Sequence, residues 1–231
     1  MMLFDPSHFT EMLPDIWKAF GQTLLMVGIS LAVALVIGLP LGLLLFITGK
    51  GMFTTSRSGL LGNRFVNVVV GFIVNLVRSI PYIILLVALF PVTKLLIGDT
   101  IGPIAASVSL SVASIPFFAR LVETSLREID KGVIEASIAV GATRWMIIKD
   151  VLLPEAKSGV IQGITMTIIS LVAYSAMAGI IGGGGIGDLA IRFGYYRYDN
   201  TIMIATVVIL IIIVQAIQLA GDAIAKAVDK R

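Results

Sequence analysis

The sequence predicts an all-α, polytopic membrane protein with five transmembrane helices. Three observations point there. The 231 residues are 58% hydrophobic and only 13% charged, with a mean hydropathy of +1.02, whereas soluble domains carry roughly 25% charged residues. Four runs, 19–48, 100–119, 158–187 and 201–221, contain no Lys, Arg, Asp or Glu, and a fifth, 65–93, is interrupted only by Arg78. A helix of about 20 such residues crosses a bilayer.

The spans are placed at 19–48, 70–97, 100–119, 158–181 and 201–221, within a single transmembrane domain over residues 15–228. No basic segment precedes the first span, so it reads as a retained helix rather than a cleaved signal peptide. Gly38, Pro40 and Gly42 punctuate the first span, Pro81 and Pro91 the second, and Pro103 and Pro116 the third. Such prolines kink membrane helices where neighbours satisfy the freed backbone groups. Small residues recur four apart at Gly38/Gly42, Ser107/Ser111, Gly159/Gly163 and Ala216/Ala220, a spacing that lets helices approach closely. Arg78 in NLVRSIPYI has two readings. It is either a charge held inside the second span, which would imply function, or a boundary arginine at a span beginning near Ser79. The boundary reading is favoured because arginine snorkels readily at helix ends.

The distribution of cations sets the orientation. If five spans alternate, twelve Lys and Arg fall on one side (Lys50, Arg57, Arg64; Arg120, Arg127, Lys131, Arg144, Lys149, Lys157; Lys226, Lys230, Arg231). Four fall on the other: Lys18, Lys94, Arg192 and Arg197. The excess predicts an N-terminus outside, a C-terminus inside and a cytoplasmic loop over 120–157.

Several chemistries find no support. The chain has no cysteine and one histidine, His8, so thiolate sites, histidine clusters and Ser/His catalysis have no material, and no metal site or nucleic-acid partner is expected. IIGGGGIGD at 180–188 satisfies G-x-G-x-x-G on paper. That fingerprint, however, needs a strand before it and a βαβ unit around it, and here a membrane helix precedes it. Gly182, Gly183, Gly184 and Gly185 instead end the fourth span and serve close packing or a hinge. No P-loop exists, since the only Gly-Lys pair, Gly49-Lys50, is followed by glycine. The chain binds no cofactor of its own and does not hydrolyse ATP by that route. Tyr195, Tyr196 and Tyr198 follow the glycines, forming either an interfacial aromatic belt or an external gate or docking contact.

Residues 120–157 hold twelve of the chain's 31 charged residues, with the two signs balanced. Within that loop, Ile129, Val133, Ala136 and Val140 form one stripe at helical spacing, and Trp145, Ile148 and Leu152 form another. Gly141 separates them, Thr143 can cap the second helix, and Pro154 stops it. Two short amphipathic helices joined at a glycine make a compact projection suited to a protein–protein contact at the membrane surface.

Glu135-Ala136-Ser137, then Gly141 and the Leu153-Pro154 ending, resemble the EAA signature of ABC-importer membrane subunits. RSIPYI at 78–83 and LVAYSAMAGIIGGGGIGDLAIRFGYYRYD at 171–199 resemble the methionine-importing permeases among them. The resemblance implies a coupling helix that docks on a separate cytoplasmic ATPase, with Glu135, Ala136, Ser137, Gly141, Ala142, Thr143 and Trp145 as its residues. The family's usual second alanine is Ser137 here. It further implies a homodimer in a bacterial inner membrane, two ATPase chains carrying ATP and Mg, and an external lipid-anchored substrate-binding protein. The small-molecule pathway would run beside Tyr174, Ser175 and Met177 of the fourth span. Two alternatives remain open. One is an importer for another solute, such as a different amino acid, an osmolyte or a phosphonate. The other is an ATP-independent channel or carrier, against which no span interior holds a convincing Asp, Glu or His for ion coupling.

Overall fold

The computed structural model describes residues 5–49 and 64–229, and among them every regular element is helical. Lys50, Arg57, Lys230, Arg231 and the side chain of Arg64, all used in the cation count, lie outside the described residues. A short helix, α1 (Pro6–Glu11), is capped by Asp5, whose Oδ1 accepts from the Ser7 amide at 3.0 Å. The chain then enters α2 (Leu13–Thr48), 36 residues long. A wide π-type turn at Ala34–Gly38 precedes Pro40. Proline lacks an N–H and its ring collides with the carbonyl four residues back, and the widened turn relieves that conflict without ending the helix.

The second traverse is not one rod. α3 (Arg64–Ser79) and α4 (Tyr82–Ala88) meet at an angle of 102°, and α5 (Phe90–Ile97) follows after a further break. The continuous span expected over 70–97 is therefore replaced by three pieces. Pro81 is the cause of the sharp bend, because a residue before proline is driven out of the α region. The Pro81 carbonyl then starts α4 by accepting from the amides of Ile84 and Leu85. Four described helices are long and apolar enough to cross a membrane alone, and the bent pair makes a fifth crossing if it counts as one.

The remaining elements are α6 (Pro103–Arg127), α7 (Lys131–Ala139), α8 (144–155, with a π-type turn at Ile147–Leu152 ahead of Pro154), α9 (Lys157–Gly179), α10 (185–195) and α11 (Asn200–Val228). α6 is the central helix, packed against α2, α3, α4, α5 and α9. A Cβ at Gly42 of α2 would lie 2.4 Å from the Ala119 carbonyl oxygen of α6, and one at Gly159 of α9 would lie 2.7 Å from Ser125 Oγ. Of the small-residue pairs read from the sequence, Gly38/Gly42, Ser107/Ser111 and Gly159/Gly163 sit against or on α6. Ala216 and Ala220 stay exposed, and the close approach of α11 is made by Gly221 on Thr165.

The serines of α6 spend their hydroxyls at short range. Ser107 donates to the Pro103 carbonyl (2.8 Å) and Ser111 to that of Ser107 (2.6 Å), while Ser30 of α2 reaches the Ser107 carbonyl at 3.2 Å. Buried polar groups are tolerated when bonded in this way. At the far end of α6, Glu123 is buried between two guanidiniums, Arg120 Nη1 at 2.6 Å and Arg127 Nη2 at 2.6 Å. Arg120 also donates to Asn75 Oδ1 at 2.7 Å, tying α3 to the cluster. Asn67 of α3 bonds the Leu45 carbonyl of α2 at 2.9 Å. At the opposite end, α1 is fastened to α11: the Asp5 amide donates to Thr201 Oγ1 at 3.0 Å, and His8 Nε2 lies 2.6 Å from Asp199 Oδ2.

Removing one partner of a buried ion cluster leaves the others uncompensated, at a cost of about 3 kcal/mol at the lower end of the usual range. Both arginines keep some solvent access, which favours that lower end. Glu123→Ala should therefore lower the melting temperature of the purified protein by several degrees, and Glu123→Gln, which keeps an acceptor, by less. The hydrogen bond from Asp199 raises His8 above the ordinary imidazole value of 6.5, and Glu11 adds to the rise. A raised imidazole stabilises the contact fully below 6.5 and loses that stabilisation as pH rises through the elevated value. Hydrogen exchange of α1 amides should accelerate across that window, and His8→Gln should remove the pH step.

Candidate functional site

Two regions carry candidate function, and they lie at different levels of the bundle. The first is the projection at residues 129–156, at the end of α6 and the start of α9. Asp130 caps α7 by accepting from the Gly132 amide at 2.7 Å. α7 closes where the Gly141 amide bonds the Ile138 carbonyl and the Ala142 amide bonds the Ser137 carbonyl, each at 3.0 Å. Gly141 has φ +84°, and nothing lies within 4 Å of where a Cβ would be. The glycine is there for its backbone conformation and not for space. Thr143 Oγ1 then accepts from the Met146 amide at 3.3 Å, which caps α8.

The apolar stripes divide in an unexpected way. Ile129, Ile148 and Leu152 are buried, joined by Ile134 and Ile147, and pack with Phe46, Phe118, Val122 and Leu126 in one cluster. Val133, Ala136, Val140 and Trp145 face outward, with Val140 85% and Trp145 67% exposed. Each short helix thus has two apolar faces. One continues the core of the bundle and the other is open. Glu135 is exposed beside the open face, Ser137 bonds the Val133 carbonyl at 2.8 Å, and Ala142 is half-buried against the inner cluster.

The second region lies around the bend between α3 and α4. Tyr174 of α9 stacks on Tyr82 of α4, with ring centroids 4.8 Å apart and 14° between planes. Both line a cavity of about 230 Å³ together with Arg78, Ala113 and Phe117. Ser175 is buried and its hydroxyl donates to the Val172 carbonyl at 2.7 Å, so it is committed to its own helix. Met177 is exposed on the outer surface of the single chain. Of the three residues of α9 singled out in the sequence, the cavity brings in Tyr174 alone. Arg78 falls in the last turn of α3 yet stands beside the middle of α6. The 102° bend at Pro81 is what lets the end of α3 lie beside α6 at this level. Tyr82 and Phe117 were missed; Tyr82 follows Pro81 directly, and that proximity was the available signal.

The glycine run at 182–185 connects α9 to α10. Gly182, Gly184 and Gly185 all have positive φ, and the Gly183 amide bonds the Ala178 carbonyl at 2.9 Å. The Gly185 amide donates to Gln22 Oε1 at 2.9 Å and the Ile186 amide to Thr23 Oγ1 at 3.0 Å, which locks the run onto α2. Beside it, a cavity of about 270 Å³ is lined by Asp15, Lys18, Gln22, Asp188 and Arg192. Asp188 and Arg192 are paired at 2.7 Å. Tyr195, the last residue of α10, and Tyr196 and Tyr198 just beyond it are exposed. Among the described residues, no group of three or more His, Cys, Asp or Glu is placed to hold a metal ion.

This arrangement is a helical bundle with an outward-facing apolar projection at one end, a cavity beside the middle of α6 and a locked glycine turn at the other end. Residues 51–231 match the family model described as binding-protein-dependent transport system inner membrane component. The chain is 50% identical over 213 residues to the probable D-methionine transport system permease protein MetI of Vibrio cholerae serotype O1, covering 92% of each protein. It is 47% identical over 219 residues to the methionine import system permease protein MetP of Bacillus subtilis, covering 95% of this chain and 96% of the relative. Among solved structures, a chain of the MetNI methionine ABC transporter in an inward-facing conformation superimposes with a TM-score of 0.89 at 44% identity, over 95% of this chain and 99% of that one. An amino acid ABC transporter crystallised with histidines shares the fold, with a TM-score of 0.79 at 17% identity, over 98% of this chain and 100% of that one.

Proposed function

The chain belongs to the family of binding-protein-dependent transport inner membrane components, and on that premise we propose that it is the permease subunit of an ATP-driven methionine importer. The observation that carries the reading is its near-full-length similarity to methionine permeases from two distant bacteria. The chain has no P-loop of its own, so the energy comes from ATP and Mg on separate ATPase subunits.

In this reading two copies of the chain surround the pathway, since one bundle of four or five crossings encloses little hydrophilic space. The N-terminus and the glycine turn face outward, where a lipid-anchored binding protein delivers substrate. The mixed charges of Asp15, Lys18, Asp188 and Arg192 around the outer cavity give that protein a polar surface to meet. The projection faces the cytoplasm and is the coupling helix. Its open face (Val133, Ala136, Val140 and Trp145) supplies apolar contact area, and Glu135 supplies charge at the rim. The inner face fuses with the cluster around Phe118, Val122 and Leu126, so a push on the projection is delivered to α6. Nucleotide biases transport to the extent that it binds the two conformations of the complex differently. The glycine run at 182–185, at the outer end, holds α9 against α2 during that movement or acts as its hinge.

Affinity purification from native membranes should recover an ABC ATPase in equal number with this chain, and Trp145→Ala should weaken that association. The complex in proteoliposomes should take up labelled methionine when ATP is supplied. Uptake competed better by another amino acid, an osmolyte or a phosphonate would change the substrate. Uptake that persists without ATP, or purification with no ATPase, would overturn the importer reading. Gly141→Pro tests the coupling role. Proline cannot adopt φ +84° and lacks the N–H that bonds Ile138. The variant should insert into the membrane and lose ATP-driven uptake by more than tenfold; normal uptake would refute the role.

A further inference from the structure

Arg78 stands apart from the other described arginines. Arg120, Arg127 and Arg192 each hold a carboxylate, and Arg197 lies over the Phe193 ring. Arg78 has no hydrogen-bond or ion-pair partner among the described residues. It nevertheless lines a cavity at the level of Ala113 and Phe117, which lie ten and fourteen residues into the 25-residue helix α6. At 1.5 Å per residue that is roughly 15–21 Å from the start of the helix. Phe117 lies two residues from the end of the span expected at 100–119, and Arg78 is exposed in the single chain, so its guanidinium can stay hydrated there or meet an anion that enters the cavity.

The rest of the cavity is of a different character. Tyr82 and Tyr174 present a stacked pair of rings and Phe117 adds a third. The hydroxyl of Tyr82 is occupied by Ser109 Oγ at 3.2 Å. That of Tyr174 has no hydrogen-bond partner among the described residues. Among the described residues no carboxylate lines the space. The volume of about 230 Å³ falls below the roughly 300–1,000 Å³ typical of drug-sized ligands, which suits a molecule the size of an amino acid.

We propose that this cavity is a substrate subsite in the membrane-spanning part of the permease, where Arg78 binds the carboxylate of the transported amino acid and Tyr82, Tyr174 and Phe117 hold its side chain. The inference rests on the reading of the chain as a methionine-importing permease. A guanidinium presents two parallel N–H donors that match a carboxylate. A thioether is polarisable and makes favourable contacts with aromatic rings at about 5 Å. The Tyr174 hydroxyl oxygen is available to accept from the ammonium group, which the ring faces also attract. The site therefore selects a zwitterion with an apolar side chain and rejects an analogue that lacks the carboxylate.

The test uses the complete permease–ATPase complex in nanodiscs of neutral lipid, with a diazirine analogue of methionine as photoprobe and peptide mapping of the labelled permease. Label is expected on the segments carrying Tyr82, Ala113 to Phe117, and Tyr174. Methionine should compete for it, and methioninol, whose carboxylate is replaced by an alcohol, should not. Arg78→Gln should reduce labelling by about tenfold or more, and Arg78→Lys should keep part of it. Tyr174→Phe, which removes only a hydroxyl, tests the same site in a protein that keeps Arg78 and the ring stack, and should weaken labelling moderately. Label elsewhere only, competition by methioninol equal to that by methionine, or labelling unchanged in Arg78→Gln would each overturn the subsite. Suppression of labelling by added phosphatidylglycerol would overturn it too, by assigning Arg78 to a lipid phosphate. Methionine uptake by the same complex in proteoliposomes separates the two readings. If uptake occurs without labelling of the cavity, the subsite fails alone; if the unaltered complex transports no methionine, the function itself fails.

Discussion

Close contact along one central helix is the constraint on which the rest of this protein depends. In lipid, association of helices gains little from the hydrophobic effect, because the acyl chains are as apolar as the side chains they would replace. What remains is dispersion and hydrogen bonding at short range, and both require backbones to come near each other. α6 receives Gly42 from α2 and Gly159 from α9 at distances where a Cβ would collide, and Gly38 and Gly163 at distances tighter than ordinary contact. Its serines bond to carbonyls of their own helix or to Ser30 of α2, so a helix rich in hydroxyls still presents no unmet polar group to its neighbours. Among the described residues, no buried side-chain nitrogen or oxygen lacks a partner.

A rigid centre explains how the second traverse can be so irregular. α3, α4 and α5 are short, and two of their junctions involve proline. Each leans on α6, which supplies the packing that a continuous helix would otherwise obtain from its own hydrogen-bonded length. The bend leaves a cavity at the level where α6 is midway through its course. The same broken backbone that a soluble protein would place in a surface loop here lines a space inside the bundle.

The projection at residues 129–156 gains its meaning from the same helix. Its inner residues, Ile129, Ile134, Ile147, Ile148 and Leu152, share one apolar cluster with Phe118, Val122 and Leu126. The projection is thus an extension of the core and not a tether hanging from it. Glu123, with Arg120 and Arg127, stands at the junction and binds α3 to the end of α6 through Asn75. In the proposed complex, a displacement imposed on Val140 and Trp145 has a short, closely packed route to the wall of the cavity.

The sequence by itself determined the class, the number of apolar runs, the break at Gly141 and the cap at Thr143, because each depends on local composition or on the backbone preference of one residue. Of the four small-residue pairs it marked, three meet or lie on α6, since a four-residue spacing places both members on one face of any helix. The tertiary structure alone decided which apolar face of the projection is open, because Val133 and Ile134 are equally hydrophobic and only the position of α6 separates them. It also decided that Gly221, not Ala216 or Ala220, is where α11 comes closest to α9. Finally, it placed Arg78 beside Tyr82, Phe117 and Tyr174. These residues are remote in the chain or lie across a sharp bend, and the angle of that bend is set by what the helices pack against, which no run of neighbouring residues encodes.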